Sequence, residues 1–469
     1  MSDKLNLIVI LCDTFRRDHL SCYGSRTVQT PNFDRLAGES VTFDGAYACS
    51  FPTLPCRAEL FTGKFVFPYL RWGPFPAGET SLADHLGKAG YHTAMVLDNL
   101  PVSRLSYGYH QGFETRVHVP GQWYDPWVPA SQPVEFPVAA EKLGQHERVK
   151  QYLRNVSGRK TEADYFAPQV VGAATDWLER FSNKGPFFLW IDCFDPHEPW
   201  DPPREYVDES IVGDNWIIYP KLGKASAYSP EELAAIRELY AGEVRMVDRW
   251  MGRLLAKIDE LGLRDNTALV FLSDHGVFLG EHNLIGKAGK NRQDVNGWPP
   301  YREVAQIPMM VRLPGVAPRR VSSFVHPGDL NPTLLELAGV PVPQGVTASS
   351  MLPLIHGKQE KLRDIAVTAW SYRGWANHHP TCIRDGEWSM VWWRSGIAPH
   401  LHHLPTDPAE QRDVFAQNKP VARRLHAQYV EFLKQQHCPP ANYWSRRFFF
   451  TGSTPARADD RGVSHTHAQ

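Results

Sequence analysis

The sequence predicts an α/β fold. A mostly parallel central sheet is flanked by helices, and a small C-terminal antiparallel α+β subdomain follows. Three observations lead there. Residues 5–12, 92–97, 186–192 and 266–272 are near-continuous apolar runs, the pattern of strands buried on both faces of a parallel sheet. Stretches with helical spacing fall between them, as an alternating βα order requires. After about residue 360 the pattern changes to short strand-like runs, as in an antiparallel sheet.

The bulk numbers bound the answer. With 469 residues the chain is long enough for one large domain and a smaller attached one, or for two to three average ones. Hydrophobic residues at 42% and charged residues at 22% are those of a soluble globular protein. Lys+Arg number 50 against 51 Asp+Glu, so no bulk charge points to nucleic acid or an anionic membrane surface. The run Leu5 to Leu11 is too short for a membrane span and lacks a signal-peptide cleavage pattern. Seven scattered cysteines then read as reduced thiols, and the expected location is the cytoplasm.

In chain order, Leu5 to Cys12 is a buried strand ending at Asp13, a preferred ligand position in an open α/β sheet. Thr30 to Ala37 reads as a surface helix, and Val41 to Phe43 as a short strand. Thr80 to Tyr91 is amphipathic with a glycine stop at Gly90, and leads into the strand His92 to Leu97. Residues 115–165 show no clear periodicity and are predicted to be an irregular insertion or lid. Ala167 to Phe181 reads as a helix. Pro186 to Asp192 is a strand that opens into the loop Phe194-Asp195-Pro196-His197-Glu198-Pro199-Trp200. Pro230 to Leu261 is a long helix, with apolar residues at Ile236, Leu239, Tyr240, Val244, Val247, Met251 and Leu255. Asn266 to Leu272 is a strand ending in Ser273-Asp274-His275-Gly276. His326 to Gly339 is a capped helix. Ile365 to Trp370, Thr381 to Arg384 and Trp388 to Trp393 are subdomain strands, and Val421 to Gln436 is a final helix. The expected division is a catalytic domain over 1–360, a subdomain over 361–445 and a disordered tail over 446–469.

The chemistry concentrates at Thr53-Leu54-Pro55-Cys56-Arg57, followed by Ala58-Glu59-Leu60-Phe61-Thr62-Gly63. Pro55 suits a helix start, where the backbone field favours negative charge. Arg57 adds a planar cation suited to a tetrahedral oxyanion. An ordinary capped helix with a surface arginine fits these residues equally well. Asp274 and His275 are a carboxylate and an imidazole able to ligate one divalent cation, with Gly276 letting the backbone turn away.

This stretch resembles the signature of the type I sulfatases in the alkaline phosphatase superfamily: Cys or Ser, any residue, Pro, Ser, Arg, then Leu-x-Thr-Gly. Pro55, Arg57, Leu60, Thr62 and Gly63 match; Cys56 replaces a serine, and Thr53 replaces the residue oxidised to formylglycine. The opening Asn6 to Asp13, Arg17 to Leu20, Cys22-Tyr23-Gly24 and Thr30 to Ala37 are also similar to sulfatases. So are His197 with Pro199-Trp200, Ser273 to Gly276 with Gly280-Glu281-His282 and Lys287, and Asp407-Pro408-Ala409-Glu410. The resemblance covers roughly residues 5–436. It implies an alkaline phosphatase/sulfatase-like fold and an ester hydrolase. It also implies one divalent metal (Mn, Zn, Ca or Mg) on Asp13, Thr53, Asp274 and His275. Asp192, Asp195, His197 and His282 leave a second metal open. By the same resemblance Lys287 reaches the sulfate or phosphate oxygens, and His197 contacts the ester or leaving group. His282 is a further candidate for the leaving-group proton. Two departures bear on this set. Thr14 stands where many members carry a second aspartate, and Leu97-Asp98-Asn99-Leu100 stands where aryl sulfatases carry a sulfate-gripping lysine and histidine.

Thr53 alters the expected chemistry. Formylglycine acts through its hydrate, one hydroxyl attacking and the other expelling sulfate. Threonine cannot become that aldehyde, but a metal-activated alkoxide can attack phosphorus. The expected activity is hydrolysis of phosphodiesters, phosphonates or phosphate esters. The alternatives are a sulfatase acting without formylglycine and a non-catalytic, anion-binding member. The expected partner is a small anionic ester, with no nucleic acid and no membrane; a homo-oligomer stays open.

Overall fold

A computed structural model describes residues 4–287, 298–371, 379–394 and 397–449. Most of the expected tail lies outside these residues. The strand Asn6–Cys12 is the centre of an eight-stranded sheet. It pairs in parallel with Phe187–Cys193 on one side and Thr267–Ser273 on the other. His92–Leu97 and Thr115–His118 extend the first side in parallel. On the other side Met309–Arg312 runs antiparallel between Thr267–Ser273 and Val41–Ala46, and Arg319–Val325 closes the edge in parallel. The sheet is therefore mostly parallel with one reversed strand.

The apolar runs follow from burial on both faces. Ile8, Ile10 and Cys12 enter one core, and Leu7, Val9 and Leu11 the other, all nearly or fully buried. The first core is covered by the helices Phe166–Phe181 and Pro230–Glu260. Pro230–Glu260 starts at a capping box, Ser229 Oγ accepting from Glu232 N at 3.2 Å and Glu232 accepting from Ser229 N at 2.9 Å. The second core is covered by the helices Thr53–Thr62, Leu82–Lys88 and Leu330–Leu337.

Two expectations are corrected. The 115–165 stretch holds the edge strand Thr115–His118 and the helix His146–Val156. The strand is only four residues long and half-buried throughout. The helix buries only Val149 and Tyr152. Neither carries enough apolar pattern to be read. The C-terminal sheet also draws on more chain than its own segment. It runs His400–His403, Trp388–Trp392, Thr381–Arg384 and Ala366–Trp370, then takes Ser50–Phe51 as a fifth strand, parallel to Ala366–Trp370. The segment before Thr53 is thus locked into the second sheet. No helix among the described residues is long and apolar enough to cross a membrane.

Glu59 fixes the Thr53–Thr62 helix against this strand. Its carboxyl is fully buried and accepts from Ser50 N at 2.9 Å and Gly328 N at 3.1 Å. Burial pushes its pKa up to about 7. Because both oxygens face backbone N–H groups, Glu59→Gln sets an amide NH₂ against a donor. The expected loss is about 1–3 kcal/mol of stability in urea unfolding. An unchanged midpoint would remove Glu59 as the anchor of this helix.

Candidate active site

Three adjacent parallel strands end in carboxylates at the same edge of the sheet. Asn6–Cys12 leads to Asp13, Phe187–Cys193 contains Asp192, and Thr267–Ser273 leads to Asp274. Asp13, Asp274 and His275 are fully buried, with ligand atoms within 4.8 Å of one another. His275 Nδ1 lies 3.0 Å from the Gly276 carbonyl, so that nitrogen carries the proton. Its Nε2 lies 3.6 Å from Asp274 Oδ2 and 4.0 Å from Asp13 Oδ1. Among the described residues this buried Nε2 has no hydrogen-bond partner. Burial, then the Lys287 ammonium, lowers the His275 pKa to about 3, so the ring is neutral at pH 7. A neutral imidazole lone pair facing two carboxylates is a donor set that fits a divalent cation. Gly276 serves here by close approach: a Cβ would lie 2.1 Å from the Glu303 carbonyl oxygen.

Arg57, one turn after Thr53, is fully buried and surrounded by carboxylates. Nε and Nη2 form a bidentate pair with Asp192 at 3.0 and 2.8 Å. Nη2 lies 3.2 Å from Asp13 Oδ2, and Nη1 donates to Asp274 Oδ2 and, at 3.3 Å, to the Thr53 carbonyl. The expected fork for a substrate oxyanion is therefore committed to the protein's own acids. Three carboxylates against one guanidinium leave two negative charges, the charge of one divalent cation.

Thr53 is the first residue of its helix and nearly buried. Cys56 and Cys49 are buried, and burial raises both thiols well above their ordinary pKa, so neither is a thiolate at pH 7. Lys287 Nζ lies 3.2 Å from Glu198 Oε2. His197 Nδ1 lies 2.6 Å from the Glu198 carbonyl, and its ring stacks on Phe194 at 4.0 Å. Burial, then Lys287, pushes the His197 pKa well down. His197 is thus a neutral ring with its proton on Nδ1.

The other expected residues take other places. His282 stacks on Tyr301 at 4.1 Å, with Nε2 3.4 Å from Glu303 Oε2, apart from the Asp13–Asp274–His275 group. Asp192 is the Arg57 partner. Asp195 accepts from Gln122 at 3.0 Å and from Ala167 N at 3.0 Å, and burial pushes its pKa up to about 6. Among the described residues the grouping of three potential ligands is Asp13, Asp274 and His275, so the residues named for a second metal do not form one group.

Three functional contacts were not read from sequence. Asn99 Nδ2 donates to Asp13 Oδ2 at 3.2 Å, occupying the strand end where a lysine and histidine were looked for. Thr14 Oγ1 donates to Asp13 Oδ1 at 2.7 Å, and Thr14 N to Asp274 Oδ1 at 3.0 Å. Thr14 orients two carboxylates instead of adding a third. Asp192 as the clamp of Arg57 is the third. The one available signal for it was a carboxylate closing a buried strand.

The chain belongs to the sulfatase family. The family model "Sulfatase" matches residues 5–340, and "N-sulphoglucosamine sulphohydrolase, C-terminal" matches 300–436. An arylsulfatase of Clostridium perfringens is 25% identical over 456 residues, covering 87% of this chain and 89% of its own. An N-acetylglucosamine-6-O-sulfatase of Bacteroides thetaiotaomicron is 24% identical over 474 residues, covering 87% and 82%. The crystal structure of a phosphonate monoester hydrolase of Agrobacterium radiobacter superposes with a TM-score of 0.73 at 24% identity, covering 92% and 96%. The fold is that of these enzymes, and the protein is a sulfatase-family ester hydrolase.

The contact from Asn99 to Asp13 makes a measurable claim on cation binding. Asn99→Ala should weaken Mn²⁺ binding by about tenfold or more in calorimetric titration, the usual cost of losing a group that orients a metal ligand. Equal affinity in the variant would show that Asn99 does not orient a ligand of the cation.

Proposed function

We propose that the protein hydrolyses small anionic esters with phosphorus as the scissile centre, and that Thr53 is the nucleophile. The observation that carries this reading is the placement of Thr53. It opens a buried helix, and its carbonyl is tied by Arg57 to the guanidinium that also holds Asp13 and Asp274. The proposed cation ligands are Asp13, Asp274 and His275, with Thr53 as a fourth donor. A bound divalent cation would supply Lewis-acid charge to an ester oxygen and lower the pKa of an adjacent hydroxyl.

The chain's own groups do the rest. In the proposed step Thr53 Oγ forms a bond to phosphorus as the bond to the leaving oxygen breaks, and the threonine proton passes to that oxygen. Water then attacks phosphorus, and the hydroxyl returns to Thr53. Lys287 stabilises the phosphoryl oxygens as charge develops. His197 is neutral with Nδ1 protonated, so its Nε2 can accept a proton but has none to give. It can hold the attacking water by accepting its hydrogen bond, and its depressed pKa makes it a weak base. Sulfate esters are a second reading, favoured by the sulfatases that this chain resembles over most of its length.

Hydrolysis of matched nitrophenyl esters by metal-loaded protein separates the two readings. The panel is a sulfate, a phosphate monoester, a phosphodiester and a phosphonate monoester. The expected result is phosphodiester or phosphonate turnover that falls roughly 10³-fold or more in Thr53→Ala. Sulfate turnover that survives the substitution would overturn Thr53 as nucleophile.

A further inference from the structure

The loop that carries His197 also carries Glu198, a carboxylate with no part in the step above. This loop leaves the sheet beside the acids. Asp13 N donates to the Cys193 carbonyl at 2.9 Å, and His197 N donates to the Phe194 carbonyl at 2.9 Å. Glu198 is only 3% exposed. Its Oε2 lies 3.2 Å from Lys287 Nζ and 3.4 Å from His197 Nδ1, whose proton is already given to the Glu198 carbonyl. Among the described residues this buried oxygen accepts no hydrogen bond. Glu59, equally buried, takes two backbone N–H groups, as a carboxylate that anchors structure does. What meets Glu198 Oε2 instead is the charge of Lys287.

That charge is felt across the site. After burial, the Lys287 ammonium is the leading cause that depresses both His197 and His275. Asp13, Asp192 and Asp274 carry three negative charges and Arg57 one positive, so a divalent cation brings that group to zero. The two imidazoles are neutral. Lys287 alone would therefore leave one positive charge for an incoming oxyanion, and Glu198 cancels it. The first negative charge of a substrate already finds no surplus of positive charge. A second meets a carboxylate that burial leaves poorly screened.

We propose that Glu198 is a specificity-determining residue: as the buried counter-ion of Lys287, it sets a preference for esters bearing one negative charge over esters bearing two. Phosphodiesters, phosphonate monoesters and sulfate esters bear one. Phosphate monoesters bear two at neutral pH and above. Glu198 acts through Lys287 and through its own field, without touching the reacting atoms. This deepens the ester-hydrolase reading and rests on it for Lys287 as the group that meets the oxyanion. Because it works on charge alone, it holds for phosphorus and for sulfur.

Two unreactive ligands of nearly the same shape separate the charges. At mildly alkaline pH phenylphosphonate carries two and methylphenylphosphinate one, and neither has an ester bond to hydrolyse. Their affinities for the metal-loaded protein are measured by calorimetry. Glu198→Gln should tighten phenylphosphonate binding by about tenfold or more, and methylphenylphosphinate binding by a smaller factor, because the field acts on twice the charge. Glu198→Asp keeps the charge and should return the ratio of affinities towards that of wild type. A ratio that Glu198→Gln leaves unchanged, whether both affinities hold, rise or fall together, would overturn the proposal. So would a shift towards the phosphinate, or no binding of either ligand. Wild-type kcat/KM supplies a check that needs no substitution. The better of methyl 4-nitrophenyl phosphate and 4-nitrophenyl sulfate should exceed 4-nitrophenyl phosphate, and the reverse order would overturn the proposal. A Glu198-dependent ratio in a protein whose turnover does not need Thr53 sinks the nucleophile and leaves Glu198 standing. Thr53-dependent turnover with a ratio indifferent to Glu198 sinks Glu198 alone.

Discussion

The Arg57 guanidinium, held among Asp192, Asp13 and Asp274, is the contact on which the rest of the site depends. All four groups are fully buried. Removing such ions from water costs several kcal/mol each, and only tight geometry offsets it. The parallel sheet supplies that geometry by ending three neighbouring strands in carboxylates at one edge. The helix must then begin at Thr53, because Arg57 one turn later reaches all three acids and the Thr53 carbonyl. Losing any one acid would strand part of a buried cation, at a cost of about 3–5 kcal/mol. The position of Thr53 is therefore set by electrostatics as much as by helix propensity.

Around this cluster the remaining polar groups fix the carboxylates without adding charge. Thr14 adopts φ 62°, the left-handed region that a β-branched residue seldom occupies. That conformation costs about 1–3 kcal/mol. It turns the Thr14 N–H to Asp274 and leaves the hydroxyl on Asp13. Asn99 secures the second oxygen of Asp13. His275 and His197 are both depressed by burial and by Lys287, so neither ring adds positive charge near neutrality. The charge deficit is concentrated at the point where His275 Nε2 and the two carboxylates converge.

Much of this arrangement was legible in sequence for a physical reason. A strand buried on both faces of a parallel sheet reads as an unbroken apolar run, and such sheets place ligands at strand ends. The strands ending at Asp13 and Asp274, the helix Pro230–Glu260 and most of the C-terminal sheet could be read directly. The unread parts depend on register. That Asp192 meets Arg57 follows from the parallel pairing of Leu11 with Asp192, which no local pattern shows. Thr14 looked like a lost ligand because its backbone conformation is invisible in a string of residues. Thr115–His118 was missed because four half-buried residues carry no periodicity.

The central sheet and the C-terminal sheet meet beside the candidate site. The central sheet gathers acids, and left alone it would repel an anionic ester. A compensating positive group lies to its side, Lys287 by Glu198. Ser50–Phe51 joins the two, since it pairs with Ala366–Trp370 and leads directly into Thr53. Phe51 meets both His275 and Trp370 in edge-type contacts, with ring centroids 4.7 and 4.3 Å away. The strand that locates the threonine is the same one that ties the central site to the C-terminal sheet.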